Sequence, residues 1–112
     1  MSNRPGRLDL EISVRGDLDV PEAEIRVIGE FDRVQIARFD RAGEALSQEL
    51  VRLTVDLTRT TIIDSAALGS LIRLRHSLDR IGCQLRVVVS EPFQVMVMKV
   101  GGLYDFLGVV EE

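Results

Sequence analysis

The stretch from Val55 to Ile72 constrains this chain more than any other. It runs Val55-Asp56-Leu57, then a polar Thr58-Arg59-Thr60-Thr61, the apolar pair Ile62-Ile63, and Asp64-Ser65-Ala66-Ala67-Leu68-Gly69-Ser70-Leu71-Ile72. The pattern predicts a short buried strand, a polar turn and an abrupt helix start at Asp64-Ser65. Ser65 stands where an N-cap belongs, a hydroxyl just ahead of an apolar run of helical period. A helix N-terminus leaves about four backbone N–H groups unpaired and carries about half a positive charge. A serine there is either a cap or a hydroxyl placed to take a phosphate. Those two alternatives frame the functional reading.

The flanking periodicities extend the same grammar. Leu8, Leu10, Ile12 and Val14 alternate with Asp9, Glu11 and Ser13, a half-buried strand. Residues 15–22 read as a loop, and Ile25, Val27 and Ile28 as a second strand ending at Gly29-Glu30-Phe31-Asp32. The period then changes. Ile36, Phe39, Gly43, Leu46 and Leu50 make one helix face, with Arg38, Arg41, Glu44 and Gln48 opposite. Val51, Leu53, Val55 and Leu57 form a short central strand. After Ser65 the stripe Ala67, Leu71, Leu74, Leu78, Ile81 predicts a long helix closed by Gly82. Leu85 to Val89 is another buried strand. Pro92 suits the first turn of a last helix ended by Gly101-Gly102, and Leu103 to Val110 a terminal turn with a short edge strand.

This order implies parallel central strands joined by right-handed crossovers, with the first two strands antiparallel because their link is too short for a crossover. The expectation is an α/β fold: one domain over residues 8–112, a mixed sheet of about four to five strands with about three to four helices, preceded by a flexible 1–7.

The 14 Lys+Arg against 18 Asp+Glu give a net charge of −4, which with 4% aromatic residues opposes nucleic-acid binding. No run approaches the roughly 18 apolar residues of a membrane span, and no signal peptide opens the chain. No direct membrane insertion is therefore expected. The single cysteine, Cys83, makes an intramolecular disulfide impossible and fits the cytoplasm. The one histidine, His76, lies on the same predicted helix as Ser65 but roughly 16 Å along it, too far for a Ser-His couple. Neither the Gly-rich phosphate loops nor the His/Cys spacings of metal sites occur. The chain reads as a non-enzyme without a cofactor. Asp56 occupies a central strand, as the phospho-acceptor of a two-component receiver domain would. No acidic pair follows the first strand, however, so Asp56 reads as a strand-end carboxylate accepting N–H bonds from the next turn.

Three stretches in order carry a family resemblance. They are Gly29-Glu30-Phe31-Asp32, Asp56-Leu57 followed by Asp64-Ser65-Ala66-Ala67-Leu68-Gly69, and Gly101-Gly102-Leu103. Over about residues 8–110 they resemble the STAS domain of bacterial anti-sigma factor antagonists, whose motifs run Gly-Glu-Leu-Asp, Asp-Leu … Asp-Ser-Ser-Gly-Leu-Gly and Ser-Gly-Leu. The resemblance implies a protein that captures an anti-sigma factor with serine-kinase activity and is released when its motif serine is phosphorylated. A serine phosphatase resets the switch. The motif serine falls on Ser65, and Glu30, Asp32, Asp64, Ala66, Leu68 and Gly69 are implied to form the partner surface around it. Ala66 and Ala67 replace the family's Ser and Gly, which leaves Ser65 the sole serine of the motif. The alternative is a STAS module that never takes phosphate, a scaffold subunit of a stress-signalling assembly or an accessory to a membrane transporter.

The last helix stands outside that pattern. Phe93, Val95, Met96, Val97, Met98 and Val100 are apolar nearly all the way round, relieved only by Gln94 and Lys99. Val95 and Met96 fall where solvated residues are expected. Either the helix is unusually buried, or residues 93–100 expose a patch for self-association or partner docking.

Overall fold

In the computed structural model of the protein, residues 8–15, 21–46 and 50–112 are described. The expected flexibility of 1–7, most of the 15–22 loop and Gln48 lie outside these residues. The elements are β1 (Leu8–Arg15), β2 (Glu22–Phe31), α1 (Ile36–Leu46), β3 (Arg52–Asp56), β4 (Thr60–Ile63), α2 (Ser65–Ile81), β5 (Gln84–Val89), α3 (Pro92–Val100) and β6 (Val109–Glu111).

The antiparallel start and parallel centre follow the prediction. The sheet order is β1-β2-β3-β5-β6, with β1 antiparallel to β2 and the other pairs parallel. The successive crossovers β2-α1-β3, β3-α2-β5 and β5-α3-β6 all advance in one direction across the sheet. With right-handed connections that places the three helices over one face. Alternate residues of the strands point at them: Ala23, Ile25 and Val27 from β2, Leu53 and Val55 from β3, Leu85, Val87 and Val89 from β5, all buried. Phe39 of α1 packs on Phe31 with ring centroids 4.8 Å apart, and Leu71, Leu74 and Leu78 of α2 join the same core. The opposite face is mostly polar and charged, with Val88 buried among those groups. On it Arg26 bridges Asp56 and Glu11 at 3.2 and 3.3 Å.

The sheet has six strands, more than expected, and the extra one is β4. Residues read as a turn plus an apolar pair form a strand parallel to β2, in register Glu30↔Ile62 and Phe31↔Ile63. The ten-residue β2 serves two partners in series, β3 along its first half and β4 along its last. Within the second pairing the register shifts between Gly29 and Glu30, and the Gly29 φ of 103° is one that side chains rarely adopt. β3 and β4 thus run in one direction along β2, interrupted by the turn in which the Thr60 amide donates to the Leu57 carbonyl at 3.0 Å.

Four apolar positions differ from expectation. Val51 and Ile81, counted with the core, are exposed, and so are Ile12 and Val14 of β1. Each sits at the end of an element or on the edge strand, where no second layer reaches it. No helix among the described residues is long and apolar enough to cross a membrane.

Candidate functional site

The last residues of β2 and β4 lie side by side, so Asp32 and Asp64, which follow Phe31 and Ile63, leave the sheet together. The Asp64 amide donates to the Phe31 carbonyl at 3.3 Å, one more rung of the ladder. That rung keeps Asp64 extended, with φ −95° and ψ 177°, and the chain turns helical immediately after it.

Asp64, and not Ser65, is therefore the N-cap of α2. Its Oδ1 accepts the Ala67 amide at 2.8 Å, and its Oδ2 accepts the Arg33 amide at 3.0 Å. One carboxylate thus satisfies a free N–H of the helix and ties down the loop between β2 and α1; a single hydroxyl has no second oxygen for that. The Ala67 amide above all, with the Arg33 and Ala66 amides and the Arg33 charge, outweighs the desolvation cost and holds the Asp64 carboxyl below its usual range. Ser65 becomes the first residue of the helix proper, and it is exposed. Its hydroxyl stands at the positive end of a seventeen-residue helix with the capping done by its neighbour.

Around Ser65 the other expected residues take definite places. Asp32 Oδ1 accepts the Val34 amide at 3.1 Å and its carbonyl accepts the Gln35 amide at 3.0 Å, closing the turn into α1. Glu30 is partly buried opposite Ile62. Ala66 is partly buried. Leu68 rests on the core and lines a cavity of about 230 Å³ with Ile62, Phe93, Val97 and Met98, between β4, α2 and α3. At Gly69 a Cβ would meet the Arg73 guanidinium at 3.6 Å, an ordinary contact, so no contact among the described residues demands glycine there. Asp32, Asp64 and Ser65 are brought together; Glu30 lies two residues back along β2.

Two contributors escaped the sequence reading. Arg33 places a cation and a backbone donor beside Asp64, so the surface is less uniformly acidic than Asp32 and Asp64 alone imply. Its signal was its position directly after the Gly29-to-Asp32 motif. Ser70, almost fully buried, donates from Oγ to Asp40 Oδ1 and pins α2 to α1. A serine inside an apolar stripe was the available clue.

The last helix divides its apolar residues between two environments. Val95 is 8% exposed and belongs to the core with Met98, whereas Met96 is 51% exposed. Val95 is thus removed from the candidate patch, whose exposed apolar side chains are Phe93, Met96 and Val100. The helix needs a wide apolar arc because Val95 and Met98 enter the core while Phe93 and Val97 face Ile62 and Leu68; Gln94 donates from Nε2 to the Thr60 carbonyl of β4 at 3.2 Å. Asp56 behaves as expected. Burial alone would raise its carboxyl, but the Thr58 hydroxyl and amide and the Arg26 guanidinium together hold it below the usual range.

The arrangement has parallels. A crystal structure of an anti-sigma factor antagonist from Mycobacterium paratuberculosis superposes with a TM-score of 0.81 at 19% identity, covering 96% of this chain and 89% of that one. The anti-sigma factor antagonist SpoIIAA in its unphosphorylated form gives 0.74 at 18% identity over 95% and 88%. The Bacillus cell fate determinant SpoIIAA in the phosphorylated form gives 0.69 at 15% identity over 95% and 91%. At these identities the likeness is one of fold. No protein of curated function matches the sequence significantly. The family model described as Mlab, STAS domain, matches residues 9–111, nearly the whole chain. On that match the chain belongs to the STAS domain family.

Proposed function

We propose that this chain is a cytoplasmic anti-sigma factor antagonist, not an enzyme, which captures a serine-kinase anti-sigma factor and is released when that kinase phosphorylates Ser65. A serine phosphatase would return it to the binding form, and transcription would follow the cycle of partners. The observation that carries the reading is the exposed Ser65 hydroxyl at the first position of α2, relieved of capping by Asp64.

Elementary electrostatics supports both halves of the switch. A phosphate adds about −1.5 to −2 charge at pH 7. The N-terminus of α2 favours that charge, so the fold tolerates it. Asp32 and Asp64 are fixed beside it by their own hydrogen bonds, and a partner surface that fitted the neutral serine would meet clustered negative charge. The effect falls on the interface and leaves the core alone. Leu68, Ala66, Gly69 and Glu30 would form the contact surface around the hydroxyl. Arg33 gives the phosphate one nearby counter-charge.

The test is intact mass after incubation with a candidate anti-sigma kinase and ATP, for wild type and Ser65→Ala. The expected result is one phosphate on wild type and none on the variant, with the phosphorylated form binding the kinase at least tenfold more weakly. Binding with no mass change would overturn the phospho-switch and leave an antagonist or scaffold that works without phosphate.

A further inference from the structure

β1 is an edge strand, and it does not behave like the others. Every inner strand buries its helix-facing positions, but on β1 the helix-facing Ile12 and Val14 remain 49% and 66% exposed. Its outer edge pairs with no strand among the described residues. An eight-residue edge with alternating β-branched side chains is a template for another strand. We infer that the strand it takes is β1 of a second copy of this chain, paired antiparallel about a two-fold axis through Ile12.

The register is selected by the sequence of the strand itself. In an antiparallel pair, residues directly opposite share a face. Centring the pair on Ile12 sets Ile12 on Ile12, Leu10 on Val14 and Glu11 on Ser13. The apolar positions meet on the helix side, and no two carboxylates face each other. A centre at Glu11 would oppose two carboxylates. A centre at Ser13 would drop Leu10 and Asp9 from the described strand. A slip by one residue would put apolar against polar throughout. The pairing also continues the sheet across both copies and brings Ile12 and Val14 against their counterparts. An edge pairing of this length is a small interface, so the association belongs to the concentrated, transient range.

The experiment is oxidative cross-linking of two cysteine substitutions in the full chain, Ile12→Cys and Val14→Cys, with mass and light scattering on wild type. Both positions are exposed, so the variants fold, and the native Cys83 is buried and does not compete. Across the axis the two residues at position 12 have Cβ atoms about 4.5–5.5 Å apart, close to what a disulfide spans. The two residues at position 14 are offset by four strand steps, about 13 Å, and cannot join. Ile12→Cys is expected to form the dimer at least tenfold faster than Val14→Cys. Wild type should approach twice the 12.5 kDa chain mass at high concentration, and Ile12→Lys should hold it at the monomer mass. Equal rates at the two positions, or faster linking at position 14, would overturn the register. A wild-type mass fixed at 12.5 kDa with no selective link at position 12 would overturn the pairing and leave the edge to a strand of another protein.

Discussion

α2 and α3 begin with the same device and end up chemically different. Each follows a strand, and each is capped by an acidic residue in extended conformation that accepts the amide three positions on: Asp64 from Ala67 at 2.8 Å, Glu91 from Gln94 at 3.1 Å. The next residue is where they part. α3 has Pro92, which has no N–H and no reactive group. α2 has Ser65, an exposed hydroxyl. Asp64 also holds the Arg33 amide of a distant loop, whereas Glu91 serves its own helix. One start is a closed joint; the other is a joint with a handle. A residue that caps the helix and one that exposes a hydroxyl can therefore sit side by side without competing.

The largest expected effect tests the double duty of Asp64. Asp64→Ala removes a cap and a loop tie and should cost about 2 kcal/mol in urea denaturation, with Glu91→Ala costing about 1 kcal/mol. Equal losses would mean the Arg33 bond contributes nothing. Next comes pH. The Asp64 carboxyl titrates below its ordinary value of 3.8 in the folded chain, so its contribution is fully present above that pH and is lost as pH falls through the folded value. Asn is as good a cap as Asp but does not titrate, so Asp64→Asn should flatten the acid limb of the stability curve below about pH 4 while Asp56 maintains the remainder. An unchanged acid limb would show that Asp64 has no special hold on its proton.

The smaller effects concern Ser65. Ser65→Ala should change stability by no more than about 0.5 kcal/mol, since the hydroxyl carries no cap. A loss above about 1 kcal/mol would return the capping role to Ser65. Smallest of all, Ser65→Pro should fold, making the start of α2 resemble that of α3. Proline is tolerated at the first helical position, and Asp64 at ψ 177° already has the extended conformation a residue before proline requires. Loss of the helical circular dichroism signal would show that the Ser65 backbone N–H has a partner that matters.

Much of this was legible in the chain. Alternation in Leu53, Val55 and Leu57 and the stripe Ala67, Leu71, Leu74, Leu78 specify strand and helix because burial follows a period of two or 3.6. Gly82 and Pro92 mark helix ends through their own backbone chemistry, and both lie where expected. The motif residues Asp32, Asp64 and Ser65 were identifiable as one group before any coordinates placed them together.

The remainder needed the third dimension, because the deciding partner lay far off in sequence. Thr60-Thr61-Ile62-Ile63 has no alternation to announce a strand; it becomes one because the far half of β2, some thirty residues earlier, has an unpaired edge. Asp64 and Ser65 are both favoured caps on composition alone. The choice falls to Asp64 because a hydrogen bond to Phe31 holds it in the sheet's conformation and the Arg33 amide claims its second oxygen. Val95 and Met96 are neighbours of equal apolarity, and only the packing of α3 over the sheet makes one core and the other surface. The chain by itself determined the three helices and every strand but β4, and it singled out the motif residues. The tertiary structure decided which of two adjacent groups holds the fold and which one faces outward, since that depends on contacts no local pattern encodes.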